Sequence, residues 1–197
     1  MPDFSQARDL ASIDTDGFLL PTAVILGAQA TRGDQTLLEG GTYWVRQQTL
    51  VNRILLRMTG GSGAPTLAIG LYQSAEGGAG VASRVAGAVA FPIGVSAANY
   101  SIPLAEGEIV LRRGYLYVLY GRDSAAGGYT MRAYGAMAAD LHNQQMIAGT
   151  RPTNYTTTLA ANAGLPATFD PRENGSGGQA VPSAANNTMP ILRVARV

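Results

Sequence analysis

The residue types that most often do chemistry are scarce in this chain, which contains one histidine, His142, and no cysteine. A Ser–His–Asp triad needs a histidine beside its nucleophile, and the sequence contains no Gly-x-Ser-x-Gly elbow. Zinc sites combine several His and Cys ligands, so one histidine without cysteine is a weak metal site. We therefore expect His142 to be a polar residue near the end of a helix or loop, and we predict no metal and no cofactor.

Paired carboxylates are the remaining route to catalysis. Glu106 and Glu108 are two residues apart and would share a face on a strand, as a glycoside hydrolase pair requires, whereas on a turn both would only be solvated. Asp14 and Asp16, followed by a glycine, match part of a calcium loop but lack its third acid and its distal glutamate. We predict no catalytic residue, and an enzyme such as a polysaccharide depolymerase ranks third among the hypotheses.

Aromatic and arginine side chains could instead bind a ligand. Proteins stack sugars on exposed aromatic rings and contact sugar hydroxyls with Asn, Asp and Arg side chains. The candidate glycan or interface contacts are Trp44, Tyr115, Tyr117, Tyr129, Tyr134 and Arg132. The alternative is that Trp44 packs in the core at the centre of a strand, and that the tyrosines are half-buried strand residues with their hydroxyls at the rim.

The composition favours a protein that assembles. Charged residues make up 14% of the chain, the formal net charge is +1, and all fourteen basic residues are arginine. Such a surface consists of hydroxyls, amides and backbone, and little net repulsion keeps copies apart. Phosphate binding needs an excess of basic residues, so no nucleic-acid partner is predicted.

No segment is typical of a signal peptide or a membrane span. Residues 1–16 carry four aspartates where a signal peptide would have a basic start and an apolar stretch. The longest uncharged run, 85–105, is interrupted by Pro92 and Pro103. We therefore predict no membrane insertion.

From Gly41 onward the chain repeats one theme, in which four to eight β-favouring residues are followed by a glycine-rich turn. The predicted strands are 42–48, 51–58, 66–73, 85–91, 100–104, 109–112, 115–122, 129–134, 154–159 and 189–197. The segment 115–122 is apolar on both faces, which places it inside a two-layer core or under an interface. A short helix competes with strand only at 136–147.

Many short strands with almost no amphipathic helix predict an all-β protein, specifically an antiparallel β-sandwich that is jelly-roll-like. The predicted organisation is an N-terminal arm or attachment segment at 1–16, followed by one sandwich domain at 17–197. That domain carries a long irregular loop near 160–188.

Several strand-and-turn motifs resemble a family. The segments are GTYWV at 41–45, LAIGLYQ at 67–73, GYLYVLYG at 114–121, GLPATF at 164–169 and PILRV at 190–194. Together they resemble β-sandwich modules in virion proteins of tailed bacteriophages and gene transfer agents, which include spikes, receptor-binding fibres and head decoration proteins. These motifs contain no invariant functional residue, so the resemblance implies no site.

The resemblance implies a homo-oligomer, with a trimer favoured, on the surface of a virion made in the bacterial host cytoplasm. It also implies that the arm at 1–16 attaches to other virion proteins, and it makes a host receptor or surface polysaccharide a further candidate partner. The first hypothesis is accordingly a non-enzymatic structural spike, fibre or decoration module. The alternative is a carbohydrate-binding module that uses exposed aromatics to bind cell-surface polysaccharide.

Overall fold

The structure, a computed structural model, describes residues 18–21, 30–33, 37–45, 47–74, 81–123, 127–134, 154–160, 163–171, 180–182, 189–190 and 192–196. Within these residues the chain forms strands and connecting turns, and it contains no α-helix. The arm predicted at 1–16 and the helix considered at 136–147 lie outside the described residues. His142 lies outside them as well.

Sixteen strands account for most of the described chain. In chain order they are β1 (Phe18–Pro21), β2 (Ala30–Gly33), β3 (Leu37–Val45), β4 (Thr49–Val51), β5 (Arg53–Ser62), β6 (Thr66–Gln73), β7 (Ala82–Pro92), β8 (Ala98–Pro103), β9 (Ile109–Leu111), β10 (Gly114–Arg122), β11 (Gly128–Tyr134), β12 (Asn154–Ala160), β13 (Thr168–Phe169), β14 (Ala180–Pro182), β15 (Met189–Pro190) and β16 (Leu192–Ala195).

The strands form two layers and a separate ribbon. One layer, called here the β10 sheet, runs β13-β7-β6-β10-β3 and continues through β12 to β14. The other, the β5 sheet, places β8 on one side of β5 and both β16 and β11 on the other, with β2 and β15 paired to β11. Strands β4 and β9 pair only with each other and form the ribbon.

Strand β1 joins the two layers. Its first half pairs with β16 of the β5 sheet, where Phe18 lies opposite Arg193. Its second half pairs with β3 of the β10 sheet, where Leu20 lies opposite Trp44. The layers are therefore continuous at this corner. Their fourteen strands form one curled sheet, to which the ribbon is not hydrogen-bonded as a strand.

The main core fills the space between the layers. Strand β5 contributes Ile54 and Met58, and β10 contributes Leu116 and Val118, all of them buried. Fully burying an aliphatic side chain of this size stabilises the fold by roughly 1.5–3 kcal/mol. On the side away from this core, β5 carries Arg53, Leu55 and Arg57, whereas β10 carries apolar side chains.

A second core lies on the opposite face of the β10 sheet. Tyr117 and Leu119 of β10 pack there with Tyr72 of β6 and with Phe169 of β13. Strand β10 is thus buried on both faces, as its doubly apolar sequence predicts. The segment that covers this second face lies within residues 163–171, where the sequence predicts irregular loop.

The predicted all-β, antiparallel, sandwich-like fold is confirmed, because every strand pairing among the described residues is antiparallel. The strand predicted at 66–73 coincides with β6, and the one at 115–122 begins one residue later than β10. The loop predicted near 160–188 contains the short strands β13 and β14. The division into an arm and one domain stays a prediction.

One hydrogen-bonded anchor holds an irregular point of the β10 sheet. The register between β6 and β7 shifts between Leu67 and Ile69, and nearby Ala90 has a left-handed backbone with φ of 53°. The Asp123 carboxylate accepts a hydrogen bond from the Ala90 backbone N–H at 2.7 Å. The Asp123 backbone N–H also donates to the Thr66 carbonyl at 2.9 Å, so one residue ties the end of β10 to both β6 and β7.

Replacing this anchor tests its contribution. We expect Asp123→Ala to lower the free energy of unfolding by about 1–2 kcal/mol, because a charged acceptor of a bulge N–H is lost. Urea denaturation followed by tryptophan fluorescence measures the change. The matched control is Glu108→Ala, which removes an exposed ion pair with Arg196 and should cost less than about 1 kcal/mol. Equal losses in the two variants would contradict the anchoring role.

Candidate functional site

The structure places two of the predicted contact residues inside the fold. Tyr117 lies in the second core with an exposed fraction of 0%, and Tyr129 lies in the main core with 2%. Neither ring can stack on a sugar in this fold. Tyr115 is half-buried and stacks on Tyr117 with ring centroids 6.3 Å apart and planes 21° apart, so its ring is partly committed to the protein.

The other predicted contact residues are placed differently. Arg132 is half-buried on β11 beside the buried Met131, so the alternation of a strand directs Arg132 to the outer face of the β5 sheet. The backbones of Trp44 and Tyr134 lie in β3 and β11. The side chains of these two residues lie outside the described part of the structure.

A short segment at 163–169, called here the strap, covers the aromatic face of the β10 sheet. The Tyr72 hydroxyl donates a hydrogen bond to the Pro166 carbonyl at 2.9 Å. Arg84 holds the strap twice, since its guanidinium donates to the Leu165 carbonyl and its backbone N–H donates to the Ala167 carbonyl, both at 2.9 Å. The last two residues of the strap form β13, which pairs with β7.

Leu165 of the strap rests on a seat made by two glycines. Gly70 and Gly87 lie directly opposite each other on β6 and β7. A Cβ atom at Gly87 would lie 2.9 Å from Leu165 Cδ1 and 2.9 Å from the Ile69 carbonyl oxygen. Both distances are shorter than real Cβ contacts, so glycine is required for the close approach of the strap.

The aromatic residues under the strap form one packed group. Phe169 meets Tyr72 edge-on with ring centroids 6.1 Å apart, and meets Tyr117 with centroids 6.4 Å apart. Burial raises the pKa of the Tyr72 hydroxyl far above its usual value, and the nearby Arg84 charge lowers it by a smaller amount. The hydroxyl is therefore a neutral donor at ordinary pH, and the group stabilises the fold and leaves no open platform.

The carboxylates are bound to separate partners. Glu106 Oε2 accepts a hydrogen bond from the Gly87 backbone N–H at 2.9 Å, whereas Glu108 pairs with Arg196 at 2.6 Å. Buried Glu39 accepts a hydrogen bond from the Tyr120 hydroxyl at 3.2 Å. The sequence predicts a turn-like context for Glu39, which is wrong, because Glu39 is buried in β3; the two glycines that follow it favour a turn and give no signal of burial. None of these contacts forms an acid–base pair.

The described residues contain neither a candidate metal site nor a helix that could span a membrane. No group of three or more His, Cys, Asp or Glu side chains there could hold a metal ion. Within the same residues, no helix has the length and apolar character needed to cross a membrane.

Two features of the described surface are candidates for contact with a partner, although single apolar side chains such as Val81, Val89 and Val95 are also exposed. The first is on the ribbon, where Leu50 and Val110 lie directly opposite each other with exposed fractions of 42% and 44%. The second is the arginine face, defined here as the outer face of the β5 sheet around Arg53, Arg57 and Arg132. A pair of exposed apolar residues or a cluster of like charges indicates a contact surface more strongly than a single exposed residue does.

Comparison with protein-family models, curated proteins and solved structures gives no match for this chain. The resemblance to virion modules therefore stays a prediction, and the function has to be argued from the surface itself.

The buried hydroxyl of Tyr72 should make stability depend on alkaline pH. Its pKa is raised in the folded state, so the folded protein keeps the proton that the unfolded chain releases above about pH 10. The wild-type protein should therefore lose stability as the pH rises above that point. The variant Tyr72→Phe lacks this proton, and it should be less stable by about 1 kcal/mol near pH 8 through loss of the Pro166 hydrogen bond.

The expected result is that the stability difference between wild type and Tyr72→Phe shrinks as the pH is raised above about 10. Urea unfolding of both proteins over a series of pH values measures it. A difference that stays constant across the whole series would show that Tyr72 ionises equally in both states, which would contradict the burial argument.

Proposed function

We propose that this chain is a non-enzymatic structural module that self-assembles on the surface of a tailed-phage-like virion, as a spike, fibre or head decoration protein. The observation that carries self-assembly is the exposed Leu50–Val110 pair on the ribbon. The motifs that resemble virion β-sandwich modules carry the rest of the proposal.

The ribbon is built to present this pair. Val51 and Leu111, the neighbours of Leu50 and Val110, are buried in the main core and fix the ribbon to the sandwich. Alternation then turns Leu50 and Val110 outward. With less than half of each side chain exposed, covering the pair would contribute about 1 kcal/mol per side chain.

A second copy of the chain is the occupant that the composition favours. With a net charge of +1, little long-range repulsion opposes the approach of identical surfaces. In a cyclic oligomer every copy brings the same patch to the shared axis. Three ribbons that meet at a three-fold axis would cover all of these side chains together, which agrees with the trimer that the resemblance implies.

Solution mass tests the ribbon as the interface. We expect light scattering to give a trimer for the full chain and a monomer for the double variant Leu50→Ser/Val110→Ser at the same protein concentration. The control is Val95→Ser, since Val95 lies in a turn away from the ribbon and is 71% exposed. A monomeric wild type, or dissociation of the Val95→Ser control, would contradict the proposal.

Removal of residues 1–16 tests the separate role of the arm. We expect a chain that begins at residue 17 to keep the same oligomeric mass, because the ribbon and both cores lie in the residues that follow. The same chain should no longer co-sediment with virions that lack this protein, whereas the full chain should. If the truncated chain is a monomer, the arm carries assembly and the ribbon does not.

A further inference from the structure

The arginine face combines positive charge with exposure. Arg53 and Arg57 are four residues apart on β5, about 13 Å along the strand, and their side chains lie on the face opposite the buried Ile54 and Met58. Arg132 projects from the neighbouring β11 on the same side. The register also places Arg193 of β16 directly opposite Leu55 of β5.

Among the described residues, no carboxylate lies in a strand of the β5 sheet, although Glu108 pairs with Arg196 just beyond the end of β16. The carboxylates of Glu39, Glu106, Glu108, Asp123 and Asp170 all lie outside the strands of the β5 sheet. The polar groups beside the arginines are neutral: Arg57 donates to Asn99 Oδ1 at 3.4 Å and Arg53 donates to Ser101 Oγ at 3.3 Å. Several arginines on one face make its local potential positive, which favours the binding of an anion.

The pattern also indicates the chemistry of that anion. A guanidinium binds a carboxylate through two parallel hydrogen bonds. The exposed Asn99 and Ser101 side chains, interleaved with the arginines, can donate to and accept from hydroxyl groups. An extended face of this kind, with charges about 13 Å apart, suits a chain molecule that carries carboxylates and hydroxyls at regular intervals.

We propose that the arginine face binds a linear polysaccharide that carries carboxylate groups, of which polygalacturonate is the simplest probe. This inference rests on the proposed function, in which a module on a virion surface meets the polysaccharide of a host cell. Apart from Arg132 it uses other side chains than the predicted aromatic platform, of which Tyr117 and Tyr129 are buried. A nucleic acid is disfavoured by the near-neutral charge of the whole chain, and an acidic peptide would leave the hydroxyl-binding groups unused.

Biolayer interferometry with the full chain tests the proposal. Polygalacturonate should bind and weaken as salt is raised, whereas neutral dextran should not bind. The double variant Arg53→Gln/Arg57→Gln should lose at least about tenfold in affinity, since charged hydrogen bonds are lost. The matched control is Arg112→Gln/Arg113→Gln, which makes the same charge change at two exposed residues between β9 and β10 and should bind as wild type does. The hydrogen bonds between Arg112 and Gln73 use the backbone N–H and carbonyl of Arg112, so the control substitution leaves them in place.

Four results would overturn the proposal: no binding of polygalacturonate, equal binding of dextran, an equal loss in the control variant, or equally tight binding of poly-L-glutamate or duplex DNA. The mass of the Arg53→Gln/Arg57→Gln variant, measured by light scattering, separates this inference from self-assembly. An unchanged trimer that no longer binds polygalacturonate supports both. If the wild type is a trimer but binds no polygalacturonate, the polysaccharide proposal is wrong and the self-assembly proposal stands.

Discussion

Strand β10 carries large apolar side chains on both of its faces, and the rest of the architecture is arranged to keep both faces dry. Leu116 and Val118 point to the β5 sheet, whereas Tyr117 and Leu119 point the other way. At roughly 1.5–3 kcal/mol for each buried side chain, neither face can be left in water without a large loss of stability. One cover is the second sheet of the sandwich, and the other is chain that returns after β12.

The second cover determines how the aromatic residues are used. A strap that crosses a sheet exposes its own backbone carbonyls to the sheet, and buried carbonyls need donors. Tyr72 and Arg84 supply those donors to Pro166 and Leu165, and the glycine seat lets the strap approach closely. Tyr72 and Tyr117 are therefore packed under the strap, and Tyr117 is not available to stack on a ligand.

Much of this fold could be predicted from alternation and turn residues, and the two-faced burial of β10 follows directly from its sequence. The pairing of β1 with both β3 and β16 could not be predicted, because it joins residues near opposite ends of the chain and no local pattern encodes it. The choice between a ligand contact and a packed side chain stayed open for Tyr129 for a related reason. Alternation assigns a residue to a face, but only the tertiary structure decides whether that face is covered. The close approach that Gly70 and Gly87 allow could not be predicted either, because it depends on Leu165, which is distant in the sequence.

The two layers thus differ in what they leave exposed. The β10 sheet is covered on one face by the β5 sheet and on part of the other by the strap, whereas the outer side of strand β5 carries Arg53, Leu55 and Arg57 opposite the buried Ile54 and Met58. The ribbon is a second surface, fixed to the core by Val51 and Leu111 rather than by the outward Leu50 and Val110. Because these two surfaces use side chains that belong to neither core, the proposed assembly and the proposed ligand binding rest on separate residues, and a substitution in one surface need not disturb the other.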